Sequence, residues 1–280
     1  MTLLTRLLNG LFDLLLWPVR WSRPVALAWI GALAGVLLLW LFKRVTPQRR
    51  LAAARRRASG LLLELGLWQD DLRTMLRIQG ELAAANLRYL AASLPSLLVL
   101  LPLFAVIVLQ LDGRFGHRAP RPGETVLVAA ALTGDAPAAL LDSLALTAPP
   151  GAAVEAGPVR DRDRRTAWWR LRVTRPLAAG AAVTVTVGGA GDATRRWRKR
   201  LAAERPLAGL TPVRERAGWR SLLLHPAEPP LPAGAPLARI RAELPAAGGA
   251  WLGLPDWLWW FLLVSVAAGL AVKGRLGVEI

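Results

Sequence analysis

The sequence predicts an α-helical integral membrane protein, with three spanning helices and a cytoplasmic helical hairpin, into which an extracytoplasmic all-β, sandwich-like domain is inserted. Three observations lead there. Residues 25 to 42 (VALAWIGALAGVLLLWLF), 94 to 111 (LPSLLVLLPLFAVIVLQL) and 257 to 272 (WLWWFLLVSVAAGLAV) carry no charge. The soluble stretch between the first two runs is arginine-rich with leucine and alanine at helical spacing, and the stretch between the last two is rich in glycine, proline and alternating β-formers. Eighteen residues of helix rise about 27 Å, close to the roughly 30 Å hydrocarbon core of a bilayer. The third run reaches that length by starting near Leu252, which gives a span over 252 to 272.

Composition sets the limits. The 280 residues are 54% hydrophobic and contain no cysteine, so disulfides and cysteine-ligated metals are excluded. The net charge of +17 is almost all arginine, since Lys43, Lys199 and Lys273 are the only lysines. Beside membrane spans, anionic lipid headgroups are the nearer partner for such charge than nucleic acid. Ribosomal RNA stays open for the cytoplasmic loop.

Each element follows in order. Residues 1 to 22 place Arg6, Asn9 and Asp13 on one side of a helix and Leu4, Leu7, Leu8, Leu11 and Leu15 around the other, a pattern for an amphipathic helix lying in the interface. Trp17, Trp21 and Trp29 suit the headgroup zone. In the first span, Gly31 and Gly35 form a small-residue stripe for close packing against another span or a second copy of the chain, which would give a homodimer.

The loop of residues 43 to 93 opens with Lys43, Arg44, Arg49, Arg50, Arg55, Arg56 and Arg57 before any acidic residue. The positive-inside rule therefore puts it in the cytoplasm, the amino terminus outside, and the tail 273 to 280 inside. Within it, Pro47 can open one helix and Gly66 stop it, while Asp70 and Asp71 start a second with Leu72, Leu76, Ala83, Leu87, Leu90 and Leu94 at three-four spacing. An antiparallel hairpin is expected, with the membrane helix restarting at Pro95 and kinked at Pro102.

Residues 113 to 250 change character. TVLVAAAL from Thr125, AWWRLRVT from Ala167, AVTVTV from Ala182 and LARIRAEL from Leu237 read as strands, divided by turn-rich stretches such as APPGAA and HPAEPPLPAGAP. Residues 192 to 206 are expected as a short basic helix or a loop. Of the adjacent Trp168 and Trp169, one must point inward and one outward in a strand.

No enzyme is expected. His117 and His225, the only histidines, lie in loop-like sequence without further ligands at metal spacing. Asp161 and Asp163 alternate with arginines as in a solvated turn, and no nucleophile elbow, phosphate loop or zinc-binding helix occurs in a supporting context. No metal or other cofactor is expected. Trp251, Trp257, Trp259 and Trp260 beside Asp256 read as an aromatic belt at the start of the third span. Ser96, Gln110 and Ser265 are the polar side chains within the charge-free runs.

KRVTPQRRLAAARRR, LGLWQDDLRTMLRIQGELAAANLRYL and LPSLLVLLPLFAVIVLQL, taken in this order, resemble the three-helix core of the YidC/Oxa/Alb membrane insertase superfamily and its relatives in the endoplasmic reticulum and archaea. In that superfamily a basic hairpin with a recurrent Met, Gln, Leu, Asn texture precedes a proline-containing, leucine-rich span. The corresponding positions are Met75, Gln79, Leu82, Asn86, Pro95 and Pro102. The resemblance covers residues 25 to 112 and the last span, and this chain differs by its large outer insertion. It implies a non-enzymatic, insertase-like or chaperone-like protein of the bacterial inner membrane, acting on membrane-protein clients. Lys43, Arg44, Ser96 and Gln110 would line a client groove, and Arg49, Arg50, Arg55, Arg56 and Arg57 would contact lipid or ribosome. The competing expectation is a structural subunit that anchors its outer β-domain within an envelope complex.

Overall fold

The computed structural model describes residues 2–19, 21–46, 72–188, 195–218, 221, 224, 225 and 227–277, and residues 53, 56, 57, 59–61, 63 and 64 of the stretch between 46 and 72. Among the described residues four long helices are bounded: α1 (Thr2–Leu16), α2 (Arg23–Val45), α3 (Leu72–Leu111) and α4 (Asp256–Leu276). Three segments, Arg23–Val45, Leu94–Gly116 and Asp256–Leu276, are long and apolar enough to cross a membrane. All three coincide with the charge-free runs.

The chain divides into two compact units. One comprises Ala28–Ile107 with Phe261–Ile280, and the other Met1–Leu27 with Val108–Trp260. In the helical unit, Ile30, Ala34 and Leu39 of α2 and Phe261 of α4 are buried, whereas Leu33, Leu37, Leu263, Val266 and Leu270 remain on the outside.

α3 departs from expectation. It runs unbroken for 40 residues with Pro95 and Pro102 inside it, so the second helix of the hairpin and the second span are one helix, with no restart at Pro95. Each proline removes one backbone donor, a cost that cooperative propagation on both sides and the apolar surroundings outweigh. The helix ends in a π-helical turn, Asp112–Gly116. Where the stretch before α3 is described, Leu61 packs with Ile78, Leu82 and Ala85, and Arg57 lies 3.6 Å from Glu81. Pro47, Gly66, Asp70 and Asp71, on which the helix boundaries rest, lie outside the described residues.

The other unit is built on two antiparallel sheets that share one apolar core. Its strands are β1 (Thr125–Leu132), β2 (Ala145–Thr147), β3 (Ala152–Asp161), β4 (Thr166–Val173), β5 (Ala182–Val187), β6 (Arg195–Arg200), β7 (Val213–Glu215) and β8 (Leu237–Ala242), followed by a small hairpin, β9 (Ala250–Trp251) and β10 (Leu254–Pro255). The larger sheet has the order β3-β4-β1-β8-β7 and the smaller β2-β5-β6. Val126, Val128, Trp169, Leu171, Leu237 and Ile240 from the first meet Val183, Val185, Val187 and Trp197 from the second. Each fully buried side chain of this kind contributes roughly 1.5–3 kcal/mol. Trp169 is the buried member of the tryptophan pair and Trp168 the partly exposed one.

Two segments correct the sequence reading. Residues 195 to 200, expected as helix or loop, form the edge strand β6, with Trp197 and Lys199 inward and Arg196 and Arg198 outward. β3, ten residues long and exposed along nearly its whole length, begins within the turn-rich APPGAA and is not among the strands expected from the sequence.

Candidate functional site

α1 is fixed by its polar face. Arg114, at the end of the second span, has a buried side chain that donates to Asp13 at 2.7 Å, to the Leu207 carbonyl at 3.0 Å and to the Asn9 carbonyl at 3.3 Å, and its guanidinium lies over the Phe12 ring. Arg205 pairs with the other oxygen of Asp13. Phe12 and Leu16 are buried, while Leu7, Leu11 and Leu14 stay exposed with Trp17 and Trp21. An interfacial helix would present that apolar side to the bilayer. Asp13 is thus held by two arginines and the Asn9 carbonyl by one of them.

In the helical unit the polar positions named from the sequence are engaged internally. Ser96 is fully buried, and its hydroxyl shares a 2.6 Å hydrogen bond with Thr46. In an apolar span such a pair satisfies groups that would otherwise cost several kcal/mol. Lys43 donates to the Leu276 carbonyl at 2.5 Å, placing its positive charge on the carboxyl end of α4 where the helix dipole favours it. Arg44 stacks over Trp40, 5.5 Å from the ring centroid. Gln110, fourteen residues beyond Ser96 on α3 and so about 21 Å along it, is buried and belongs with the β-rich unit.

The glycine stripe is used within the chain. A Cβ on Gly31 would lie 3.3 Å from the Phe261 carbonyl and 3.5 Å from Val264 Cβ, and one on Gly35 would overlap the Ser265 backbone. α2 and α4 therefore approach along this face. Arg56 and Arg57 are exposed; Arg49, Arg50 and Arg55 lie outside the described residues.

α3 has two faces. Ile78, Ala85, Ser96 and Ile107 are buried on one. Leu76, Leu87 and Leu90, outside the spanning segment, are 59%, 69% and 62% exposed, and Leu94, Leu98 and Leu101 continue the same line into the span. The intervals of eleven, three, four, four and three residues keep these leucines on one side of a 3.6-residue helix. Such a stripe on the soluble part of a helix exposes apolar surface that a merely structural hairpin would cover.

Sequence reasoning missed the polar centre of the β-rich unit. Lys199 is fully buried on the inward side of β6 and pairs with the buried carboxylate of Glu228; its ammonium also donates to the Thr211 carbonyl at 2.6 Å. Burial pulls its amine below the ordinary lysine range, against the opposing charge of Glu228. Alternation within RRWRKRL was the available signal.

His117 lies near Asp112, where an isolated bridge to Ala246 joins the segment entering the β-rich unit to the one leaving it. Burial holds its imidazole below the ordinary histidine range, Asp112 opposing and Lys199 reinforcing the shift. A base depressed in the native state lets the unfolded chain take up the proton first. Stability is thus expected to fall as pH drops below about 6.5 towards the native value. Thermal melts at successive pH values check this: His117→Gln should flatten that slope, and an unchanged slope would remove His117 as its source. Among the described residues no cluster of three or more potential ligands could hold a metal ion.

Compared with known proteins, the chain matches no family profile, no curated protein and no solved structure.

Proposed function

We propose that this chain is an insertase-like or chaperone-like protein of the bacterial inner membrane, non-enzymatic, with the amino terminus outside and the carboxyl terminus inside. The observation that carries this reading is the leucine stripe of α3, which runs from Leu87 and Leu90 ahead of the apolar segment through Leu94, Leu98 and Leu101 within it. A client's apolar segment following that line stays against leucine while passing from water to hydrocarbon, which lowers the barrier of the intermediate positions. Arg55, Arg56 and Arg57 would hold the hairpin at anionic headgroups or ribosomal RNA. Since Ser96 and Lys43 are engaged internally, the stripe replaces a polar groove as the client path.

The test is photocrosslinking from Leu87 and Leu90 in membranes carrying stalled, partly inserted client chains. Crosslinks to nascent apolar segments are expected, and Leu87→Ser with Leu90→Ser should reduce insertion of a reporter several-fold. Reversing charge at Arg55, Arg56 and Arg57 should weaken it too. Full insertion with all these changes would sink the proposal.

The Arg114–Asp13–Arg205 clasp favours a second reading, in which the spans anchor the β-rich unit within an envelope complex. Crosslinks from Leu87 to one stable partner protein, with none to nascent chains, would select it.

A further inference from the structure

The outer face of the smaller sheet differs from the rest of the β-rich surface. In β6, Arg196, Arg198 and Arg200 point outward, and their register places them opposite Thr186, Thr184 and Ala182 of β5. Beyond these, Ala145 and Thr147 of β2 complete the rows. Directly opposed residues share a face, so Arg196 and Arg198 stand at a two-residue repeat of about 6.7 Å beside a row of threonines, while the Arg200 guanidinium is held by the Ala227 carbonyl and Glu204.

Several other arginines on this unit have carboxylate partners. Arg170 and Arg172 share Glu155 at 3.0 and 2.7 Å, Arg118 holds Glu124 at 2.7 Å, and Arg241 lies 3.9 Å from Glu243. On the small sheet Arg200 has Glu204 at 3.4 Å, but among the described residues no ion pair involves Arg196 or Arg198. Both side chains are exposed. Two guanidiniums of one sign, with no ion pair among the described residues, create a field that an oppositely charged chain would fill.

The free edge of β6 is not open to an added strand. The Arg198 carbonyl accepts from Arg214 at 2.5 Å and the Arg200 carbonyl from Lys199 at 3.2 Å. Side-chain donors thus occupy backbone groups that strand addition would need. Binding here must use the side-chain face, which carries guanidiniums and hydroxyls and none of the exposed large apolar residues. Thr186 already donates to the Ala145 carbonyl at 3.3 Å, leaving Thr184 as the hydroxyl aligned with Arg198.

We propose that the outer face of β2-β5-β6 binds a linear phosphodiester polymer, with Arg196 and Arg198 each taking one phosphate of consecutive repeats. Phosphates suit this surface because guanidinium forks and hydroxyls together serve their three accepting directions. Phosphodiesters joined through three-carbon linkers repeat at nearly the spacing of the arginines, so neighbouring charges can be met without distorting either chain. The site is independent of the client path on α3.

The test uses the full chain in phosphatidylcholine nanodiscs and a synthetic 1,3-linked glycerol-phosphate oligomer as probe, with affinity followed by biolayer interferometry over a range of salt. The wild-type chain is expected to bind, more weakly as salt rises. Arg196→Gln with Arg198→Gln should weaken binding at least about tenfold and flatten the log–log salt dependence by about 0.7 per arginine removed. Arg170→Gln with Arg172→Gln, which removes already paired charges, should leave affinity within about twofold. Equal binding by the Arg196/Arg198 variant, or no binding by the wild type, overturns the proposal. So does equally tight binding of polyglutamate, which would show general attraction to acidic chains. Capture of phosphatidylglycerol vesicles without capture of the oligomer would transfer the site to lipid headgroups and likewise overturn it. An unchanged tryptophan-monitored melt confirms that the variants fold.

Discussion

Replacing Lys199 with methionine is expected to destabilise the β-rich unit by about 3–5 kcal/mol, because it leaves the Glu228 carboxylate buried without its counter-charge. Among the described residues the remaining donor to Glu228 is the Arg200 amide at 3.4 Å, too long to replace an ammonium. For a unit of this size the loss corresponds to a fall of about 10 °C or more in melting midpoint. Trp197, two residues away on the same buried side of β6, and Trp169 across the core report the transition by fluorescence. Glu228→Leu alone strands the ammonium and should cost a similar amount. The double variant should recover much of either loss, since well-packed apolar replacements of buried ion pairs are often neutral. A Lys199→Met protein melting like the wild type would show that the pair is not coupled to folding.

The same residue explains what the sequence leaves hidden. β1 and β5 coincide residue for residue with TVLVAAAL and AVTVTV, the first a short apolar run bounded by turn residues and the second a plain two-residue alternation. In β6 the inward series is Trp197, Lys199 and then Leu201, and a charge at its middle breaks the period as seen in sequence. Its partner Glu228 lies in the proline-rich stretch HPAEPP, which reads as a solvated turn and carries no signal that it folds under the sheet. The long apolar helices are legible for the opposite reason: runs of sixteen to eighteen residues without charge are the pattern of a candidate membrane span. Pro95 argued for a break in α3 by local preference, and the surrounding helix overrode it. Asp13 and Arg114 illustrate a third case. Helical spacing places Asp13 on a polar face, but only the fold shows that this face meets Arg114, 101 residues further along.

Gly31 and Gly35 bear on the helical unit with comparable weight, and the absence of native cysteine makes them open to a clean experiment. A Cβ at Gly31 would stand 3.5 Å from Val264 Cβ, close to the mean Cβ separation of about 3.8 Å in disulfides. Gly31→Cys with Val264→Cys is therefore expected to crosslink nearly completely within one chain under mild oxidation, in membranes and in detergent. Dimeric products would mean instead that α2 packs on a second copy. Adding Gly35→Leu should abolish the crosslink, since the new side chain would have to occupy the space of the Ser265 backbone. No rotamer relieves a clash that begins at Cβ, so α2 must move away from α4 or the unit must fail to assemble. Gly35→Ala tests the same contact with one methyl group and should lower crosslinking yield several-fold. Crosslinking that survived Gly35→Leu undiminished would refute the close approach of these two helices.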